Sequence, residues 1–209
     1  MTRNEHQVLF LTTTGHGLCH VFVLIFPAVL GLLVRHFAGG DAPAGLFETA
    51  LFGDVFARDA SGGYTLLSAV GTVGYAAFGF CAVPWGALVD RLGPVRVIRT
   101  FFFGAAAAMA LIAVSTSLTM LAAGMFCLGL FAGAYHPSGL SLISLAVRER
   151  GRALGYHGMA GNVGLGLAPF LAASLAAALG WRWTYGVFAL VALAVGAATF
   201  VLSIQVEPQ

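Results

Sequence analysis

Charge is what this 209-residue chain lacks: Asp, Glu, Lys and Arg together make up 9% of it, and lysine is absent, all ten bases being arginine. An average soluble domain carries about 25% charged residues, so the 59% hydrophobic share here excludes folding in water. Ten Arg against eight acids leave a net charge of +2, and the bases are scattered, so no nucleic-acid footprint exists. Cysteine is scarce as well. Cys19, Cys81 and Cys127 all lie inside apolar runs, where thiols behave as small hydrophobes and not as a disulfide framework. The length leaves no room for a soluble catalytic domain beside the apolar runs, so no enzymatic activity and no catalytic residue are expected.

What the chain has instead is apolar length. At about 20 residues per crossing of a roughly 30 Å hydrocarbon core, six spans are predicted, at 7–34, 64–89, 95–116, 118–147, 153–179 and 183–204. The first run, preceded by one Arg and no small-residue cleavage site, is too long for a signal-peptide core and is expected to stay in the protein. With the N-terminus in the cytoplasm of a cell whose inner membrane it crosses, Arg3, Arg91, Arg96, Arg99, Arg148, Arg150 and Arg152 lie inside and Arg35, Arg58 and Arg182 outside, as the positive-inside rule requires. The external loop 35–63 holds four of the eight acids and the apolar pairs Leu46-Phe47 and Leu51-Phe52, a pattern predicting a short interfacial helix. The expected fold is an all-α membrane protein, one domain over 1–209, lying in the lipid bilayer.

No Asp or Glu falls well inside a span, so the ionisable groups at membrane depth are His16, His20, His136 and His157. Ionisable side chains inside a membrane are costly and point to function. At 1.5 Å per residue His16 stands roughly 13 Å from Gln7 and His136 about 16 Å from Val147, both near the midplane. With Tyr135 and Asn162 these histidines are expected to line a proton or solute cavity. His16, Cys19 and His20 follow at i, i+3 and i+4, on one side of a helix, where two imidazoles and a thiolate, with His136, make a possible copper or zinc site, and a transporter of that metal is one alternative function. A haem held between His16 or His20 and His136 is a further option, and so is interhelical hydrogen bonding, with the Thr12 to Thr14 run at hand. Gly155, Gly158, Gly161, Gly164 and Gly166 predict a side-chain-free strip along span five that lets helices approach closely or slide.

Gly86, Leu88, Asp90, Arg91 and Gly93, between spans two and three, resemble the Gly-x-Leu-x-Asp-Arg-x-Gly signature of the major facilitator superfamily at the same topological place. The turn Gly180 to Trp183 looks like this superfamily too, as does a degenerate antiporter motif built on Gly155, Gly164 and Pro169. Gly15-His16 and Tyr135-His136-Pro137 look most like its fosmidomycin-resistance exporters. Pro94 and Val95 depart from the usual basic pair, and Met125 stands where exporters often carry an Arg. The resemblance covers the N-terminal half of a usual twelve-helix member. It implies a 3+3 inverted-repeat bundle and alternating-access transport of a small solute, with proton-coupled export as the direction. It further implies a parallel homodimer of half-transporters, because the two halves of this fold are related by an axis along the membrane normal. Gly86, Asp90, Arg91 and Gly93 would form a gating latch, the carboxylate holding a facing helix N-terminus. A non-transporting scaffold is the remaining alternative.

Overall fold

The computed structural model describes residues 1–37 and 60–206. Among them run seven helices: α1 Arg3–Phe37, α2 Ala60–Leu92, α3 Pro94–Ala113, α4 Leu118–Ala132, α5 Tyr135–Ala146, α6 Arg150–Leu179 and α7 Trp181–Ala198. Six stretches are long and apolar enough to cross a membrane, α4 and α5 together forming the fourth. The expected interfacial helix around residues 46–52 lies outside the described residues.

Local chemistry sets the helix ends. Thr2 and Glu5 form a capping box: Thr2 Oγ1 accepts from the Glu5 amide at 3.2 Å and Glu5 Oε2 from the Thr2 amide at 2.7 Å. The other Glu5 oxygen accepts the Arg148 amide at 3.0 Å, so this buried carboxylate also ties α1 to the α5–α6 turn. Ser117 caps α4 through the Met120 amide. Gly93 and Gly180, with φ of 83° and 84°, allow the one-residue reversals before α3 and α7, a backbone region that a side chain disfavours. Arg182 Nη1 donates to the Ala113 and Ser115 carbonyls at 3.0 and 2.7 Å, closing the end of α3. The last span stops at Ala198 and not at 204, because the chain turns back to α1, where Asn4 and Gln205 exchange two hydrogen bonds at 2.9 and 3.0 Å. Both ends of the described bundle therefore lie on one side.

The packing is symmetric in sequence order. α1 packs most extensively on α6, α2 on α4 and α3 on α7, that is, span one on five, two on four and three on six. Exchanging the first three spans for the last three maps this set of pairs onto itself. Each span reverses direction, so the two triplets run oppositely, which is an inverted repeat. The crossings match as well: a side chain on Gly164 would collide with the Gly17 carbonyl, and one on Gly129 with the Gly74 carbonyl. Small residues are what allow membrane helices this approach.

Span four departs from the single helix expected over 118–147. It breaks at Gly133 and Ala134, and Pro137, whose missing N–H suits the first turn of a helix, falls in the first turn after the break. The Ala134 amide turns to the Phe131 carbonyl at 3.1 Å, and the Leu130 carbonyl accepts the Trp85 indole N–H at 2.7 Å instead. An unpaired carbonyl at membrane depth is costly, and Trp85 supplies its partner. Trp85→Phe should therefore lower stability by about 1–3 kcal/mol, read as the shift of the thermal unfolding midpoint in nanodiscs; an unchanged midpoint would show that the indole N–H does not hold the break.

Candidate functional site

Glycines clear the space in which the rings assemble. Tyr135 lies over Gly15, where a Cβ would come 2.5 Å from Cε2, and its hydroxyl donates to the Thr12 carbonyl. A Cβ on Gly161 would meet the His16 ring at 2.5 Å, and one on Gly139 would crowd the Tyr135 hydroxyl at 3.1 Å and His157 Cε1 at 3.4 Å. Into this space α1 brings His16 and His20, α5 brings Tyr135 and His136, and α6 brings His157.

His16 is the hub. Its ring stacks on His157 with centroids 4.0 Å apart, lies 4.8 Å from His20 and meets His136 edge-on at 5.1 Å. Its Nδ1 sits 2.7 Å from the His157 carbonyl, which can only accept, so Nδ1 carries the proton. In neutral His16 the Nε2 lone pair then accepts from His20 Nε2–H at 3.1 Å. His16, His20 and His136 are half-buried, and one ring nitrogen from each lies within 4.8 Å of the others. His157 is 3% exposed, and neither of its ring nitrogens has a hydrogen-bond partner among the described residues. The Thr12 carbonyl close to that ring is already taken by Tyr135.

Several expectations need correction. Cys19 does not join the imidazoles: its buried sulfur faces the Ala132 carbonyl at 3.8 Å. Positions i+3 and i+4 fall on opposite sides of residue i, about 100° apart, so Cys19 and His20 turn to different neighbours. Asn162 is exposed, because five residues carry it about 140° around the helix from His157. The glycines of α6 are not one strip. Gly161 and Gly164 meet α1, whereas Gly155, Gly158 and Gly166 have open space beside them; Gly155 and Gly164, nine apart, stand about 180° around the helix from each other. Pro169 is exposed too. The haem reading fails on geometry, since axial imidazoles must stand on opposite faces of a porphyrin and these rings are in direct contact.

Asp90 and Arg91 are exposed at the end of α2, with no ion pair among the described residues. Gly86 has open space beside it and Gly93 makes the turn. Met125 is buried against the Tyr185 hydroxyl, away from the histidines. Two features escape a reading of single spans: the stacking of His157 on His16 and the seat that Gly15 and Gly139 make for Tyr135. The Gly-His pair at 15–16 and the four-residue spacing of Tyr135 and Gly139 carried that signal.

The sequence model of the Major Facilitator Superfamily matches residues 24–209. The chain belongs to the major facilitator superfamily. It is 29% identical over 111 residues to the probable L-galactonate transporter of Escherichia coli (strain K12), a match covering 51% of this chain and 24% of that protein. In structure it resembles the human organic anion transporter MFSD10 (TETRAN), with a TM-score of 0.67 at 23% identity, covering 98% of this chain and 50% of that one. The chain thus spans about half the length of that transporter. Its six spans form a major facilitator bundle, and the protein is a multi-pass membrane protein of a transporter superfamily.

The two sorts of glycine on α6 separate in a simple comparison. Gly164→Ala should push α1 and α6 apart and lower stability by about 1–3 kcal/mol, whereas Gly155→Ala, with open space beside it, should be neutral or stabilising by up to about 1 kcal/mol through helix propensity. Equal unfolding midpoints for the two variants would contradict the close crossing.

Proposed function

We propose that the chain is one half of a proton-coupled exporter of a small organic anion, working by alternating access as a parallel homodimer in the inner membrane with both termini cytoplasmic. The observation that carries this reading is the half-buried imidazole chain of His20, His16 and His136, held between spans one, four and five of a superfamily bundle. Imidazole exchanges protons near neutral pH, and its N–H groups donate to an anion. The described acids lie elsewhere: Glu5 and Asp90 at span ends and Glu149 in the α5–α6 turn. A cationic solute would find no carboxylate beside these rings among the described residues. The relatives named for L-galactonate and for organic anions point to the same solute class.

Exposure supports a second half. α2 and α6 are the least covered spans of the bundle. An apolar groove of about 650 Å³ opens along α1 and α6, lined by residues that include Phe10, Thr13, Tyr156 and Met159. Phe10 and Met159 are 64% and 62% exposed. A second copy packed against these helices covers them, and it brings the start of its own α6 to Asp90. Within one bundle α2 and α6 share no substantial contact, so the latch of Asp90 on a helix N-terminus, near Arg152 and Ala153, is a contact between halves.

In proteoliposomes carrying a proton gradient, with L-galactonate and related sugar acids as probes, His16→Gln and His136→Gln should each abolish gradient-driven flux while the folded particle survives. Wild-type flux in both variants would refute the coupling role. Native mass measurement in nanodiscs should find two chains per particle; a single-chain particle that still transports would overturn the dimer.

A further inference from the structure

We infer that His16, His20 and His136 form a binding site for one late first-row transition-metal ion, zinc or copper(II), which bridges spans one and four and inhibits transport by occupying the imidazoles on which the proposed coupling rests. Nitrogen ligands stand about 2.0–2.1 Å from zinc, which sets neighbouring ligand atoms of a tetrahedral site roughly 3.4 Å apart. His16 Nε2 and His20 Nε2, one helical turn apart on α1, are already 3.1 Å apart. The third nitrogen, from His136 on α5, completes a set within 4.8 Å. The site requires a turn of the half-buried His136 ring to close the remaining gap.

The outer contacts are those of a metal-binding imidazole. A ligating histidine usually donates its other N–H to a carboxylate or backbone carbonyl, which fixes the tautomer and the ring plane. His16 does this through Nδ1–H and the His157 carbonyl at 2.7 Å, leaving the Nε2 lone pair directed at His20. Behind it the His157 ring stacks at 4.0 Å, and the His16 ring occupies the space that a Cβ on residue 161 would need. When the ion enters, the His20 proton moves from Nε2 to Nδ1, so both facing lone pairs reach the metal without a change in charge on either ring. Three ligands leave a fourth position open to water or a solute anion, the arrangement of zinc sites that exchange a ligand. Cys19 takes no part, since its sulfur faces the Ala132 carbonyl.

The site shares its residues with the proposed coupling cluster, yet ion binding is measured without transport, so either reading can fail alone. The test uses tag-free full-length protein in detergent, stripped with chelator and titrated with Zn²⁺ by calorimetry and with Co²⁺ by visible absorption. One ion per chain and a cobalt d–d spectrum of tetrahedral type are expected, with affinity falling about tenfold or more in His20→Ala and in His136→Ala. Cys19→Ser should bind as the wild type does. In proteoliposomes the same concentration of Zn²⁺ should inhibit wild-type flux, and chelator should restore it. The triple variant of His16, His20 and His136 to Ala retains His6, His36 and His157 and serves as the background. Should it fail to fold, His136→Gln, which keeps the ring pair on α1, replaces it. Binding no tighter than in that background, or loss of binding in Cys19→Ser, would overturn the site; binding without inhibition would overturn the inhibitory role.

Discussion

Where α1 crosses α6, the Gly17 carbonyl fills the space that a side chain on residue 164 would need, and where α2 crosses α4 the Gly74 carbonyl does the same to residue 129. Helix backbones packed this closely leave dispersion and weak polar contacts as the adhesive, because lipid offers no hydrophobic force between spans. The two crossings are counterparts under the exchange of span triplets. Together they fix the depth and rotation of spans one, two, four and five. His16 precedes Gly17, so the first crossing also sets its ring against Gly161 and the His157 carbonyl. The site follows from the crossing and not from any attraction among the histidines.

The break in span four supplies the other half of that geometry. In one unbroken helix, residues 118–147 would pass the cluster along a single face. The turn at Gly133 and Ala134 restarts the helix at Tyr135, which places Tyr135 and His136 at the head of α5 beside α1. Trp85 holds the upstream end through the Leu130 carbonyl, and the Tyr135 hydroxyl holds the downstream end through the Thr12 carbonyl. Both anchors reach across to another span. A membrane interior offers no water to satisfy loose backbone groups, so a break persists only where neighbouring elements close it.

Much of the fold was legible in the sequence because the bilayer imposes a simple rule: long apolar runs cross it. The six spans came from that rule alone. What remained hidden depended on rotation about the helix axis. Sequence spacing placed Cys19 beside His16 and His20, but about 100° separates i+3 from i+4, and only the neighbours decide which side faces which helix. Asn162 and Gly155 were misread for the same reason. The break in span four was visible only as Pro137, a residue that in a first turn is compatible with a continuous run or a restart. The capping box of Thr2 and Glu5, by contrast, is a four-residue pattern whose geometry needs no tertiary context.

The electrostatics of the cluster explain how binding at it can be coupled to movement of the bundle. Transferring a lone charge into a low-dielectric interior is expensive, while opposite charges brought in together attract strongly there. Three unprotonated imidazoles with no carboxylate beside them among the described residues carry no charge, and an empty uncharged site can be enclosed at little expense. A proton or metal ion alone makes the site cationic, and its enclosure is penalised unless an anion comes with it. On the proposed reading, protonation of the cluster therefore strengthens its hold on an anion and loss of the proton weakens it. That dependence ties anion binding to the charge on the cluster, and it follows from which side chains this sequence leaves out of its spans.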